Sequence, residues 1–207
     1  MNDLMLKYRP QSMSEVWGNE KIKSVWDGFV KSRSFPKAIL LRGGYGSGKT
    51  TLGRIMGRDI VECLPKGMCS TDGLFEYDSV GVDIEMVRRV MDIRNFHHGV
   101  IVRFFDEIHR MPEKSQEVLL KPIEESENIY FILATSNPEK VDGGIISRCA
   151  EFEVENPSFE FLTDELLKIA KLEGVQLTRE EALEIVECSN GSPRKSLINL
   201  QLKINYF

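Results

Sequence analysis

The feature that most constrains this chain is the run Gly43 to Thr50, G-G-Y-G-S-G-K-T, directly behind the apolar stretch Ala38 to Leu41. It matches G-x-x-x-x-G-K-[ST], in which glycines let successive backbone N–H groups curl around anionic oxygens. A helix opening at Lys49 would aim the positive end of its dipole at the same point. Gly43, Gly44, Tyr45, Gly46, Ser47, Gly48, Lys49, Thr50 and Thr51 are therefore expected to cradle nucleotide phosphates. Lys49 would reach the β- and γ-phosphates and Thr50 would ligate Mg²⁺. A turn that merely joined strand to helix would need no Lys-Thr after its last glycine.

A second feature answers the first. Val100 to Phe105 holds five apolar residues among six and ends in Asp106-Glu107. Both acids should emerge at the carboxyl end of a buried strand, where ligands sit in open α/β sheets. This is a Walker B arrangement, with Asp106 in the Mg²⁺ shell and Glu107 as general base toward the attacking water. Arg103, inside that strand, calls for a carboxylate partner or a route to the sheet edge.

Periodicity supplies the frame. Helical spacing runs from about Asn19 to Lys31 (Ile22, Val25, Trp26, Phe29), then Lys49 to Cys63, then Ile84 to Ile93, and again after Pro112 with Val118, Leu119 and Ile123. Strands are expected at Ala38 to Leu41, Leu74 to Asp78, Val100 to Phe105 and Ile129 to Ala134, with a loop at Pro65 and Gly67. Alternation of this kind implies an α/β fold, a parallel sheet covered by helices on both faces. Beyond Asn156-Pro157 only helical patterns follow: Phe159 to Leu172, Thr178 to Cys188 and Pro193 to Ile204. Gly174 suits a helix end, Thr178 with Glu181 a capping box, and Ser192-Pro193 a helix start. The expected division is a nucleotide-binding domain over residues 1–155 and a small all-helical lid over 156–207.

Twenty-seven basic against thirty-two acidic side chains give a net charge of −5, which argues against nucleic-acid binding by bulk charge. Any DNA contact would be local or shared among subunits; Arg88, Arg89, Arg110 and Lys114 are weak candidates for it. No eighteen apolar residues run together and MNDLMLKYRP carries no cleavage site, so no membrane partner is expected and the cytoplasm, or a nucleus, is the expected compartment. Cys63, Cys69, Cys149 and Cys188 form no CxxC pair, and His97-His98 in a turn adds no ligand spacing; no structural metal is expected.

Beyond these motifs, nearly the whole chain resembles the AAA+ clamp-loader ATPases, both the motor subunit of the bacterial DNA polymerase III loader and the replication factor C small subunits. Besides the P-loop and FFDEIHRM, the resemblance rests on KYRP (Lys7 to Pro10), VWGNEK (Val16 to Lys21), LLKPIEES (Leu119 to Ser126), FILATSNPEK (Phe131 to Lys140), ISRC (Ile146 to Cys149) and GSPRKSLINLQ (Gly191 to Gln201). It implies a DNA-binding hydrolase of DNA replication that uses ATP and Mg²⁺, with other loader subunits, a sliding clamp and primed DNA as partners. Activity would need a hetero- or homo-oligomer.

By position, Tyr8, Arg9 and Pro10 should lie near the adenine, with backbone around Val16 to Gly18. Ser136, or alternatively Asn137, fits sensor 1. Arg148 looks like an arginine finger acting on a neighbour's ATP, and Arg194 fits sensor 2; Cys149 is expected to pack. Two departures stand out. The bacterial subunit's four-cysteine zinc module is reduced here to Cys63 and Cys69 within Val61 to Thr71, closer to the replication factor C or phage type. The family's helical collar does not follow sensor 2, so a fragment or minimal form is expected. DEIH-R and GSPR occur also in branch-migration motors and recombination-associated ATPases, which remain alternatives, as does a non-hydrolysing assembly subunit; KYRP with SRC favours the clamp loader.

Overall fold

The computed structural model describes residues 3–64, 73–92 and 99–206. The expected loop at Pro65 and Gly67, Ile93, Cys69 and the His97-His98 turn lie outside the described residues. The elements run α1 (Leu4–Lys7), α2 (Glu20–Ser32), β1 (Ala38–Arg42), α3 (Lys49–Cys63), β2 (Leu74–Asp78), α4 (Ile84–Asp92) and β3 (Ile101–Asp106). There follow α5 (Glu113–Glu125), β4 (Ile129–Thr135), α6 (Gly143–Ile146), β5 (Ala150–Glu153), α7 (Phe159–Leu172), α8 (Arg179–Cys188) and α9 (Pro193–Tyr206).

The five strands form one parallel sheet in the order β2-β3-β4-β1-β5. Period-2 alternation sorts the side chains between two cores. Ile39, Leu41, Val102, Phe104, Ile132 and Ala134 face α2 and α3. Leu40, Ile101, Phe105, Phe131 and Leu133 face α4, α5 and α6. The sheet is thus covered on both sides, and its strands read as near-continuous apolar runs for that reason. Of the apolar residues that mark α2, Val25 is 48% exposed, whereas Ile22 and Trp26 are buried.

β5 is an addition to the four expected strands. It pairs with β1 from Ile39↔Ala150 to Arg42↔Glu153, at the sheet edge. Arg42 meets Glu151 at 3.1 Å and Glu153 at 3.5 Å, so charge covers this edge and discourages pairing with another chain.

A third core joins α7, α8 and α9 through Leu162, Leu166, Ala182, Val186 and Leu200. Their ends are as expected: the Thr178–Glu181 capping box is complete, Gly174 (φ +77°) follows α7, and Ser192 Oγ accepts from Lys195 N at the start of α9. The N-terminal segment also belongs to this core. Leu4 is buried in it with Met5, Tyr8 and Trp17 packed alongside, and Leu4 N donates to Gln201 Oε1 at 3.1 Å.

Arg103 is fully buried and, among the described residues, has no carboxylate partner. Its guanidinium stacks on Phe75 (4.8 Å) and donates to the Tyr77 hydroxyl and, at 2.7 Å, to the Val90 carbonyl. That carbonyl lies in the last turn of α4, where helix oxygens lack intrahelical donors and the dipole favours a cation. Aromatic faces and a helix end take the place of the expected acid or edge.

Candidate nucleotide site

Three segments meet at the carboxyl edge of adjacent strands: the Gly-rich loop after β1, Asp106-Glu107 at the end of β3, and Ser136-Asn137 after β4. Close packing of α3 on the sheet brings the first loop there. A Cβ on Gly53 would lie 2.7 Å from the Phe104 ring, so only glycine allows this approach. Gly43 (φ +157°) packs so tightly on β5's exit that an added Cβ would sit 2.3 Å from the Val154 carbonyl, while Gly44 and Gly48 face open space. Ser47 Oγ is buried with no partner among the described residues, and Tyr45 at the loop tip is 73% exposed.

Lys49, 5% exposed, donates to the carbonyls of Gly43 and Gly44, both at 2.9 Å. Burial holds its pKa below the ordinary lysine range, against the raising influence of Glu107 and Asp106. Thr50 Oγ1 donates to Asp106 Oδ2 at 2.7 Å. Burial pushes the Asp106 carboxyl up, the Thr50 bond pulls it down, and the charge of Glu107 raises it again. Glu107 takes a left-handed backbone (φ +53°) that turns its side chain toward β4, where Ser136 Oγ donates to Oε2 at 2.9 Å. Asn137 takes part through its backbone, donating N–H to Thr135 Oγ1 at 3.0 Å.

Beside the loop lies a cavity of about 290 Å³ lined by Tyr8, Arg9, Pro10, Val16, Gly46, Ser47, Gly48, Thr51 and Arg194, among others. The start of α9 and the N-terminal segment thus wall one side of it and the phosphate loop the other. Gly18, expected near this wall, is not among the lining residues; a Cβ added there would meet Pro157 at 3.4 Å. Arg194, in the first turn of α9, is near enough to Lys49 to lower its pKa and makes no ion pair among the described residues. Trp17, within the expected Val16 to Gly18 stretch, lines it too; Met5, Leu6, Pro193 and Leu197 complete the lining and were missed from sequence, although the apolar flanks of KYRP and the proline before Arg194 pointed there.

Arg148 stands apart. It binds Glu124 Oε1 through Nε (2.7 Å) and Nη2 (2.6 Å) and the Gly144 carbonyl through Nη1 (2.8 Å), and does not line the cavity. The thiol of Cys149 next to it is pushed up to about 12 by burial, which leaves it a packing residue at neutral pH. Arg88, Arg89, Arg110 and Lys114 are exposed, with Arg89 paired to Glu85.

The donor set suits ATP with Mg²⁺. A cation needs the hard oxygens that Thr50 and Asp106 supply, and phosphate oxygens need an amine whose present acceptors are only loop carbonyls.

The family model for AAA, the ATPase family associated with various cellular activities, matches residues 39–156. The chain belongs to that ATPase family. It is 32% identical to DNA polymerase III subunit gamma of Buchnera aphidicola subsp. Schizaphis graminum, over 94% of this chain and 59% of the relative. It is 31% identical to replication factor C small subunit 1 of Pyrobaculum islandicum, over 95% and 60%. With DNA polymerase III subunit tau/gamma of Haemophilus influenzae the figures are 28%, 94% and 31%. The chain therefore spans between about a third and three fifths of the curated relatives it matches. In structure it superposes on the Thermotoga maritima RuvB Holliday junction branch migration motor with a TM-score of 0.76, over 94% of this chain and 64% of that one, at 22% identity. That likeness speaks for the fold alone. Among the described residues no helix is long and apolar enough to cross a membrane.

Proposed function

We propose that this chain is the ATP-hydrolysing motor part of a sliding-clamp loader, with a base over residues 1–155 and a lid over 156–207. The observation that carries it is the convergence of Lys49, the Thr50–Asp106 pair and the Ser136-bonded Glu107 on one edge of the sheet, beside a cavity that α9 walls with Arg194. The loader reading is supported by relatives named as DNA polymerase III gamma and replication factor C subunits across nearly all of this chain. Magnesium-bound ATP supplies the scissile phosphoanhydride and a cation that spreads its charge. Lys49 exchanges its loop carbonyls for phosphate oxygens, and Thr50 and Asp106 orient the cation. Glu107 takes the proton of the attacking water, and Arg194 reports the phosphates to the lid. Arg148, held at the surface by Glu124, is presented to a neighbouring subunit rather than to its own site, which requires an oligomer. Clamp and primed DNA are the expected partners.

The test is ATP turnover by this chain, alone and with a full-length loader assembly, its clamp and primer-template DNA, beside an Arg148→Ala version. Stimulation that the variant loses supports the reading. Nucleotide binding with no stimulation by any clamp and DNA would remove it.

A further inference from the structure

The hydrogen bonds around Glu107 extend one shell further than the proposed hydrolysis uses. His109, its side chain 8% exposed, places Nε2 3.3 Å from Glu107 Oε2 and Nδ1 3.0 Å from Thr135 Oγ1. Thr135 is fully buried, its carbonyl accepts from Gly43 N at 3.3 Å, and its Oγ1 accepts from Asn137 N at 3.0 Å. A hydroxyl has one hydrogen to give. Among the described residues the acceptor facing it is His109 Nδ1. With that hydrogen given to Nδ1, the ring is the tautomer that carries its own hydrogen on Nε2, aimed at Glu107. Ser136 Oγ donates to the same Oε2. The 3.3 Å contact is long, as catalytic hydrogen bonds often are before substrate tightens them.

We infer that His109 is a positioning residue for the general base Glu107, and that Thr135 fixes its tautomer. The chain of donors runs from Asn137 N–H through the Thr135 hydroxyl and the imidazole to the carboxylate. Thr135 also touches the first glycine of the phosphate loop, so movement of that loop or of the segment after β4 re-aims the base. The inference rests on the hydrolytic reading of the site.

Two measurements test it in the full chain. Nitrogen-15 labelling of histidine reads the tautomer of the buried ring: hydrogen on Nε2 is expected, lost or mixed in Thr135→Val, and hydrogen on Nδ1 in the wild type overturns the inference. Steady-state ATP turnover reads the role. His109→Ala should lower kcat by about 10- to 100-fold, the scale of a misplaced catalytic group, with KM unchanged within about twofold. His109→Gln, whose amide can still donate toward Glu107, should recover part of the loss. In a Glu107→Gln background His109→Ala should add little further loss. A wild-type chain that turns over while His109→Ala turns over equally well, or changes only in KM, removes the role of His109 alone. A wild-type assembly without turnover removes the hydrolytic reading, and the role of His109 with it.

Discussion

Gly46 of the phosphate loop faces Ser192 at the foot of α9 so closely that a Cβ there would lie 2.5 Å from Ser192 Oγ and 3.4 Å from Arg194 Cβ. The glycine also adopts φ +76°, a conformation that costs other residues roughly 1 kcal/mol or more. Gly46→Ala should therefore push α9, and Arg194 with it, off the loop. The expected result is ATP affinity lower by about tenfold, which is about 1.4 kcal/mol, measured by calorimetry. Unchanged affinity would mean that the contact between this loop and α9 does not bear on nucleotide binding.

Asp106 has a cost in the folded chain. Its carboxyl is raised mainly by burial, so the folded state holds a proton more readily than the unfolded state does. For a group raised on folding, its favourable contribution is present in acid and is lost as pH rises through the folded pKa. Near neutral pH the ionised side chain therefore opposes folding. Asp106→Asn keeps an oxygen for the Thr50 hydroxyl and removes the charge. It should raise Tm at neutral pH, by about 2–4 °C per kcal/mol relieved, with the gain shrinking in acid. Turnover should fall to background in the same variant, and a lower neutral Tm would contradict the argument.

Much of this architecture is legible in the sequence because buried parallel strands, Gly-Lys-Thr and helix caps are local patterns. The rest depends on partners far along the chain. β5 was missed because Ala150 to Glu153 is four residues with two acids, and its pairing with Ile39 to Arg42 is set more than a hundred positions away. Its alternation of Ala150 and Phe152 with Glu151 and Glu153 was the available clue. The neighbours of Glu107 depend on how β3 and β4 lie side by side, which no spacing reveals. Arg103 was legible as a problem but not as a solution, since its stacking partner comes from β2 and its carbonyl from α4.

That solution is specific to a guanidinium. Its fork reaches the Tyr77 hydroxyl and the Val90 carbonyl while its plane stacks on Phe75. An ammonium is a point charge that cannot do all three. Arg103→Ala should cost about 2–4 kcal/mol through the cavity and two abandoned polar groups, measured by urea unfolding. Arg103→Lys should recover little of it. Full recovery by lysine would show that charge alone is needed there.

The N-terminal segment yields the least obvious expectation. Leu4 does not line the cavity, but it is 3% exposed in the core of α7 to α9, and the residues after it, Met5, Leu6 and Tyr8, do line it. Further ties hold the segment to that core: Lys7 Nζ and the Tyr8 hydroxyl both donate to Glu173 Oε1, at 2.7 and 2.5 Å. A four-residue helix with a single buried side chain can detach rather than leave a cavity, so Leu4→Ala should release the segment rather than unfold the core of α7 to α9. ATP affinity should then fall by about tenfold with a Tm change of only a few degrees. The check is a nucleotide titration beside a thermal melt. A large loss of Tm with affinity intact would instead assign Leu4 to the stability of the helical core and separate it from the nucleotide wall.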